Sequence, residues 1–387
     1  MSKSVDNIPY GKHFVDDEDV AAVVDVLQNR FLTQGSIVPK FEKALATYTG
    51  ANYATAVNSA TSGLHVACLA LGVANGDRVW TSPISFVASA NSALYCGATI
   101  DFIDIDTETR NISVEALERK LANAESANLL PKAIVVVHFS GASCQMQEIA
   151  KLCRKYKVGI IEDAAHGLGG SYQQNKIGSC EYADLAVLSF HPVKSITSAE
   201  GGAVLTNDET LFERSKLFAK HGVTRDLEQM EGPSEGPWYY QQVALGYNYR
   251  LSDLHAALGL SQLKKLDGFI NKRQMLAQRY NQMLKHLPLT LPTMNNADKS
   301  AWHVYIIELN EHKRDAIYAA LVERGIGVNV HYIPIHLQPY FQKLGFSRGD
   351  FPNAENYYQN ALTLPLFPSM TADEQDRVVQ ALNEVLA

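Results

Sequence analysis

The sequence predicts an α/β protein whose core is a mainly parallel sheet covered by helices. Short apolar runs alternate with amphipathic stretches of helical period between residues 54 and 162. Several runs are apolar without a break, as expected for strands that are buried on both faces. The chain has 387 residues, 46% of them hydrophobic and 19% charged, which suits a folded chain with one large and one smaller domain.

The periodicity predicts each element in turn. Two helices open the chain at residues 16–27 and about 38–48. The strands expected in the large sheet are 54–57, 78–82, 98–103, 133–137, 158–162, 185–189 and 203–206. The helices expected between them are 61–71, 86–95, 114–121 and 148–156. Residues 189–202 between the last two strands are expected to form a long loop rather than a helix.

The C-terminal part of the chain has a different pattern. Residues 225–246 are rich in Gly, Pro, Glu and Tyr, and are expected to form a loop. A long helix should follow at 251–284, broken near 267–268. The remainder predicts a smaller α+β unit, with strands at 304–308 and 328–331 and helices at 316–324 and 371–386. Thr371 and Glu374 have the spacing of a capping box. We therefore predict a large domain over residues 1–265 and a small domain over 266–387.

Composition argues against several classes of protein. The formal net charge is −7 and the basic residues are scattered, so a broad nucleic-acid-binding surface is not expected. No apolar stretch reaches the roughly 20 residues that cross a bilayer, and the first residues lack the pattern of a signal peptide. The five cysteines contain no CxxC pair, which argues against a zinc site or a disulfide framework. A cytoplasmic protein without a metal is expected.

The first candidate binding motif is Asn-Ser-Ala-Thr-Ser-Gly at 58–63, between a strand and a helix. Small residues let backbone N–H groups approach an anion, and a helix N-terminus favours negative charge. Ala60, Thr61 and Ser62 are the candidate anion-binding residues. Taken alone, the motif fits an ordinary helix cap equally well.

The second motif, Glu-Asp-Ala-Ala-His at 162–166, directly follows a buried strand. Ligands of α/β proteins bind at the carboxyl ends of strands. Asp163 could face a pyridine nitrogen and keep it protonated, which makes the ring an electron sink. His166 could orient Asp163 or lie near the ring, and a structural role in the loop is an open alternative.

The third motif, Ser-Phe-His-Pro-Val-Lys at 189–194, lies in the predicted loop between two strands. Burial of Lys194 there would lower the pKa of its amine and free it to attack an aldehyde. Ser189 ends the preceding strand and would point to the same place. A single lysine in a loop is ordinarily a solvated surface residue, so this interpretation depends on the other motifs.

Two further features complete the candidate site. Phe86 follows a strand and could stack on a ring, although core packing explains it equally well. The segment 246–253 contains Asn248 and Arg250 and precedes a helix that Ser252 is expected to cap. An anion cradle, an acid for a pyridine nitrogen, an aldehyde-reactive lysine and a stacking aromatic are together what pyridoxal phosphate requires.

These motifs resemble those of the DegT/DnrJ/StrS family of nucleotide-sugar aminotransferases. The resemblance covers essentially the whole chain. It depends on FLTQG at 31–35, NSATSGL at 58–64, TSPISFVASAN at 81–91, EDAAHGLG at 162–169, SFHPVKSITSAEGGAV at 189–204, GYNYRLSDLHAALGLSQL at 246–263 and HYIPIH at 331–336.

The resemblance implies the type I, aspartate aminotransferase-like fold and pyridoxal phosphate as cofactor. It implies a Schiff base on Lys194, Asp163 at the pyridine nitrogen, the phosphate near Thr61, Ser62 and Ser189, and Asn248 supplied by the second subunit of a homodimer. Glutamate would donate the amino group to C4 of a UDP-linked 4-keto-6-deoxy-N-acetylhexosamine. The implied substrate contacts are Tyr10, Arg30, Phe31, Leu32, Thr33, Val328, Asn329, Val330, His331, Tyr332 and Ile333. Arg250 is a candidate for a donor carboxylate or a diphosphate, with a surface salt bridge as its alternative.

Three other functions remain open on sequence alone. A relative could act on a different sugar, as in the perosamine or 4-amino-arabinose pathways. A sugar dehydratase on the same scaffold would carry histidine in place of Lys194, so the lysine argues against it. A cofactor-binding sensor without turnover would not need the lysine, the acid and the cradle together.

Overall fold

A seven-stranded sheet forms the centre of the molecule. The computed structural model describes residues 7–293, 298–309 and 314–386. In chain order the strands are β1 (Tyr53–Val57), β2 (Arg78–Thr81), β3 (Thr99–Phe102), β4 (Ala133–Val137), β5 (Gly159–Asp163), β6 (Ser171–Tyr172), β7 (Asn175–Lys176), β8 (Leu185–Ser189), β9 (Gly202–Thr206), β10 (Val223–Thr224), β11 (Gln241–Gln242), β12 (Leu289–Thr290), β13 (Tyr305–Leu309) and β14 (Ala361–Leu364).

Helices cover both faces of this sheet and build much of the C-terminal part. In chain order they are α1 (Asp17–Asn29), α2 (Ile37–Thr49), α3 (Ala60–Ala70), α4 (Ala88–Tyr95), α5 (Val114–Ala127), α6 (Met146–Tyr156), α7 (Glu209–Ala219), α8 (Asp253–Leu263), α9 (Leu266–Leu284), α10 (Arg314–Glu323), α11 (Pro339–Gln342), α12 (Pro352–Asn360) and α13 (Ala372–Leu386). None of the helices in the described ranges is long and apolar enough to cross a membrane.

The strand order of the large sheet is β1-β9-β8-β5-β4-β2-β3. Its pairs from β8 to β3 are parallel, whereas β9 runs antiparallel to both β1 and β8. The predicted mainly parallel sheet is therefore confirmed. Because β9 is reversed, it begins at the edge where β1, β5 and β8 end. The loop between β8 and β9 lies at that edge, beside the N-terminus of α3.

Capping residues set several of the helix starts. Asp16 accepts hydrogen bonds from the backbone of the first turn of α1 and forms a capping box with Asp19. Ser252 caps α8 through the backbone N–H of His255, as predicted. The capping box predicted at the start of the last helix is confirmed: the Glu374 N–H donates to the Thr371 hydroxyl, at 3.1 Å.

Three predicted elements need correction. The helix expected at 86–95 begins at Ala88, which leaves Phe86 in the preceding turn. The helix expected at 251–284 is two helices, and the break falls at Lys264 and Lys265 rather than at 267–268. The strand expected at 328–331 does not form.

The segment 328–331 makes a single bridge to β14, between Asn329 and Thr363. Beyond that point the backbone carbonyl of His331 bonds outside the sheet, although the His331 ring still contacts β14. The His331 ring bonds the hydroxyl of Thr363 at 2.8 Å, and the His331 carbonyl accepts from the Tyr357 hydroxyl at 2.8 Å. The chain therefore leaves the sheet edge at His331.

The helices α7 and α12 and the strand β14 are additions to the predicted elements. β14 pairs with β13 in a three-stranded antiparallel sheet, which α13 and the second half of α9 cover with a shared apolar core. The first turns of α9, at Leu266 and Ile270, pack instead with α2 and α8 in a core beside the large sheet. The domain boundary near residue 265 stays a prediction.

Candidate active site

A cavity of about 390 Å³ lies where the carboxyl ends of β4, β5 and β8 meet the C-terminal unit. Parallel α/β sheets place their ligands at this edge. Residues from both the large sheet and the C-terminal unit line it. They are Tyr10, Ser59, Ala60, Thr61, Leu64, Ser85, Phe86, Ala88, Val137, Asp163, Ala165, His166, Ser189, His191, Val193, Lys194, Glu200, Gly201, His303, Asn329, His331 and Tyr332.

Lys194 stands on the loop between β8 and β9, and hydrogen bonds within that loop fix its position. The Phe190 N–H donates to the carbonyl of Gly201 at 2.9 Å, and the Ser198 N–H donates back to the carbonyl of Phe190 at 2.9 Å. Burial lowers the pKa of the Lys194 amine to about 8, against the opposing attraction of the Asp163 carboxylate. The side chain is half-buried because it opens into the cavity.

Asp163 ends β5, which pairs directly with β8. Its carboxylate accepts a hydrogen bond from the Ser89 hydroxyl at 2.6 Å and one from the Ala165 N–H at 3.2 Å. Ser89 is in turn 2.6 Å from the hydroxyl of Ser85. The side chain is 6% exposed, and these donors hold one face of the carboxylate while the rest opens to the cavity.

The N-terminus of α3 forms a small cradle on the same side. Ala60 and Thr61 line the cavity, and the first turn of a helix leaves its N–H groups without intrahelical partners. Gly202 backs this turn so closely that a Cβ there would lie 2.7 Å from the Ala60 nitrogen. Ser189 stands beside it at the end of β8. The arrangement suits a phosphate group.

Ser62 does not line the cavity, although we predicted it to bind the anion. Its hydroxyl lies 2.6 Å from the side-chain oxygen of Asn58 and 2.9 Å from the hydroxyl of Ser59. Those bonds hold the Ser62 hydroxyl against the residues that begin α3. Ser59, which sequence reasoning treated only as part of the motif, lines the cavity in its place.

Aromatic rings form the wall above Asp163 and Lys194. The Tyr332 hydroxyl is 3.1 Å from the His166 Nε2, and the Phe86 ring lies 6.5 Å from that of Tyr332. His303, from the segment before β13, packs on His166 with 4.2 Å between the ring centroids. Burial, and then the nearby charges of Lys194 and His331, hold the pKa of His166 well below its usual range.

A polar part of the cavity wall carries the predicted substrate residues that the fold brings inward, and Tyr332 belongs both to it and to the aromatic wall. Tyr10, Asn329, His331 and Tyr332 line the cavity, and the Tyr10 ring lies 5.7 Å from that of His331. Burial lowers the pKa of His331 to about 4, and Lys194 adds to that effect. These side chains form an uncharged polar surface in the same cavity as Lys194.

Several predicted site residues lie outside the cavity of a single chain. Besides Ser62 they are Asn248, Arg250, Arg30, Phe31, Leu32, Thr33, Val328, Val330 and Ile333. Arg30 pairs with Asp25 on the surface, and Phe31 is 79% exposed. The Asn248 carbonyl accepts from the side-chain amide of Asn58, at 3.4 Å. The roles predicted for these residues therefore stay predictions, and that of Asn248 requires a second subunit.

The residues of the cavity fit pyridoxal phosphate. The backed turn at Ala60 and Thr61 can hold a phosphate, Asp163 can face a ring nitrogen, and Lys194 offers an amine. The Nδ1 of His166 is buried and has no hydrogen-bond partner among the described residues. No group of three or more His, Cys, Asp or Glu side chains in residues 7–293, 298–309 and 314–386 is placed to hold a metal.

The model of the DegT/DnrJ/EryC1/StrS aminotransferase family matches residues 14–383. This chain belongs to that family. The resemblance inferred from the motifs is thereby confirmed, and the aminotransferase is an enzyme of the kind predicted.

Known relatives match the aminotransferase along nearly its whole length. The UDP-4-amino-4,6-dideoxy-N-acetyl-beta-L-altrosamine transaminase of Campylobacter jejuni is 38% identical over 383 residues, which are 98% of this chain and 97% of the relative. Helicobacter pylori PseC, an aminotransferase involved in the biosynthesis of pseudoaminic acid, superposes with a TM-score of 0.90 and 34% identity, covering 98% and 99% of the two chains.

Spr1654 from Streptococcus pneumoniae has been solved in a PLP-form and a PMP-form. Its PMP-form superposes on the aminotransferase with a TM-score of 0.89 and 26% identity, and covers 98% of this chain and 99% of its own. These matches confirm the predicted type I fold for the aminotransferase.

Proposed function

We propose an amino donor and an acceptor for this pyridoxal-phosphate-dependent sugar aminotransferase. Its amino donor is glutamate, and its acceptor is C4 of a UDP-linked 4-keto-6-deoxy-N-acetylhexosamine. The observation that carries the proposal is Lys194, a half-buried side chain with an amine of lowered pKa, which lines a cavity of about 390 Å³ together with Asp163. The likeness to the Campylobacter jejuni transaminase supports the choice of sugar.

Each residue has a separate task in the proposed reaction. When bound, pyridoxal phosphate supplies an aldehyde that takes up amino groups and a ring that accepts electrons from the substrate carbon. Lys194 holds that aldehyde at rest. Once the incoming amine has replaced it, the freed Nζ would take a proton from the substrate carbon as a general base and deliver it to the cofactor carbon as a general acid.

Asp163 supports this work from the other end of the ring. Its carboxylate would hold a proton on the ring nitrogen, while Ser89 and the Ala165 N–H fix its orientation. Ala60 and Thr61 anchor the phosphate at the start of α3, with Ser189 beside them. Phe86 and His166, which line the cavity, would contact the ring. A homodimer that supplies Asn248 from the partner subunit is part of the proposal.

The polar part of the cavity wall is suited to a sugar nucleotide. Tyr10, Asn329, His331 and Tyr332 offer hydroxyl, amide and imidazole groups, which form directional hydrogen bonds with sugar hydroxyls and an acetamido group. The pKa of His331 near 4 keeps this surface uncharged at neutral pH. Arg30, Phe31, Leu32, Thr33, Arg250, Val328, Val330 and Ile333 are proposed to complete the substrate site in the assembled enzyme.

The choice of sugar is tested by product analysis. Purified protein is incubated with glutamate and either the 4-keto-6-deoxy-L-AltNAc or the 4-keto-6-deoxy-D-GlcNAc form of the UDP-sugar. We expect the L-altro form to gain an amino group at C4, with 2-oxoglutarate released in equal amount. Preference for the D-gluco form, or for a GDP-linked or arabinose-type 4-keto sugar, would reject the proposed substrate while leaving the reaction class intact.

The lowered pKa of Lys194 predicts how fast cofactor-free protein captures pyridoxal phosphate. A fall from 10.5 to about 8 makes the uncharged amine about 300-fold more abundant at pH 7 than on an ordinary lysine. Only the uncharged amine attacks an aldehyde. The capture rate should therefore rise tenfold per pH unit at low pH and level off above about 8. Stopped-flow absorbance from pH 6 to 10 measures this; a rate still rising steeply at pH 9.5 would contradict it.

A further inference from the structure

His303 is a buried histidine in the cavity wall, and it belongs to none of the sequence motifs described above. It lies in the segment before β13 and is 4% exposed. Its Nδ1 has no hydrogen-bond partner among the described residues. A buried imidazole nitrogen without a partner costs free energy, so a group in this place calls for an explanation.

The backbone of His303 is held from two sides. Its N–H donates to the carbonyl of Ser140 at 2.9 Å. Its carbonyl accepts from the guanidinium of Arg273, on α9, at 3.0 Å. The approach to Ser140 requires the glycine that follows it, because a Cβ at Gly141 would lie 3.0 Å from the His303 nitrogen and 3.1 Å from the carbonyl oxygen of His166. The ring is therefore placed by elements that also hold the loop after β5.

Arg273 is fully buried, and its guanidinium bonds several backbone carbonyls. Besides His303, its guanidinium donates to the carbonyls of Trp302 and Leu366, at 3.2 and 2.9 Å. The Leu366 N–H donates in turn to the carbonyl of Tyr10, at 3.1 Å. Arg273 thus ties together two chain segments that reach the cavity wall.

The ring of His303 covers one side of His166. The two ring centroids are 4.2 Å apart, and His166 is itself 5% exposed. On another side the Tyr332 hydroxyl lies 3.1 Å from the His166 Nε2. A neighbouring ring that excludes water removes the solvation that an imidazolium would need.

We propose that His303 is a positioning residue, whose ring packs on His166, excludes water from it and so keeps His166 uncharged beside Asp163 and Lys194. The consequence for catalysis rests on the proposed function, whereas the charge of His166 does not. A protonated His166 would compete with the cofactor ring nitrogen for the negative charge of Asp163 and would repel the Lys194 ammonium.

The cations around both rings act in the same direction as burial. Burial is the main reason that the pKa values of both histidines lie well below the usual range, and nearby cations add to it. The titratable and charged groups that face the pair are Asp163, Lys194, Arg273, His331 and Tyr332.

The test is a titration of His166 by NMR. The full-length chain carries ¹³C-labelled histidine rings, with and without pyridoxal phosphate, and His166→Asn assigns the signal. In the unaltered protein we expect no titration of His166 between about pH 5 and 8. In His303→Ala, water reaches the ring and His166 should titrate near its ordinary pKa of 6.5. In His303→Phe the ring remains covered and His166 should stay uncharged.

Activity gives the second readout. If His166 of His303→Ala titrates near pH 6.5, its uncharged fraction falls about tenfold from pH 7.5 to pH 5.5. Over that range kcat of His303→Ala should therefore fall about tenfold more than kcat of the unaltered protein. His65→Ala is the matched control, because His65 is a buried histidine that does not line the cavity. It should leave the titration of His166 unchanged. Should His303→Ala fail to fold, His303→Asn opens the same path for water.

Three results would overturn the proposal. In the first, His166 stays uncharged in His303→Ala. In the second, His166 titrates equally in His303→Phe and His303→Ala. In the third, His166 already titrates near pH 6.5 in the unaltered protein. Failure of the proposed function would be recognised separately, because the unaltered protein would not transfer amino groups while the NMR titration of His166 could still be measured.

Discussion

Replacement of Lys194 by alanine is expected to abolish turnover, with kcat lowered by at least about 10⁴-fold. The variant loses both the amine that holds the cofactor aldehyde and the base that moves the substrate proton. Burial of Lys194, which lowers the pKa of its amine to about 8, gives it these roles at neutral pH. Initial rates with saturating glutamate and sugar nucleotide measure the loss, and the absorbance of the covalently held cofactor should vanish with it.

A matched control distinguishes the loss of the Lys194 amine from the loss of any lysine near this loop. Lys12 lies beside the same loop, where it lines a small crevice together with Lys194, and its side chain is exposed. Lys12→Ala should keep the cofactor absorbance and kcat within about twofold. Added methylamine should restore part of the activity of Lys194→Ala, because a free amine can carry the proton. Unchanged absorbance in Lys194→Ala would assign the linkage to another residue.

Replacement of Asp163 by asparagine is expected to lower kcat by about 10²- to 10³-fold. Asparagine has nearly the same shape and can still accept a hydrogen bond from Ser89, but it carries no negative charge. It therefore cannot hold a proton on the ring nitrogen, and the ring becomes a weaker acceptor of electrons. The rate of the half-reaction with glutamate alone, followed by absorbance, is the direct measurement.

Two neighbouring substitutions make this result specific. Ser89→Ala removes the 2.6 Å donor to the Asp163 carboxylate but leaves its charge, so kcat should fall only about tenfold. Glu162→Gln changes the preceding carboxylate, which faces away from the cavity toward His138 at 3.0 Å. That change should lower the free energy of unfolding and leave the glutamate half-reaction nearly unaltered. Equal loss in Asp163→Asn and Glu162→Gln would refute a role for Asp163 at the ring.

The sheet was predictable because burial on both faces leaves a strong local pattern. Apolar runs such as 133–137 and 185–189 correspond to β4 and β8 within the bounds observed. Asp163, Lys194 and Ala60 were found for the same reason, since each follows or precedes such a run and the fold brings those ends together.

What could not be predicted depends on long-range contacts. Ser89 lies inside a helix, and its bond to Asp163 joins residues 74 positions apart in the chain. His303 has no motif around it, and only the packing of the C-terminal unit brings it to His166. The segment 328–331 has the composition of a strand, yet it makes a single bridge to β14, and His331 lines the cavity. The hydroxyl of Ser62 forms hydrogen bonds with Asn58 and Ser59, and the motif alone does not show that orientation.

The central claim, that the amine of Lys194 holds the cofactor, is tested most directly by trapping the linkage. Protein loaded with pyridoxal phosphate is reduced with borohydride, digested, and analysed by peptide mass spectrometry. The reduced cofactor is expected on the peptide that contains Lys194, in a yield that falls when glutamate is added before the reductant. Label on another lysine, or no label on protein that transfers amino groups, would contradict the account.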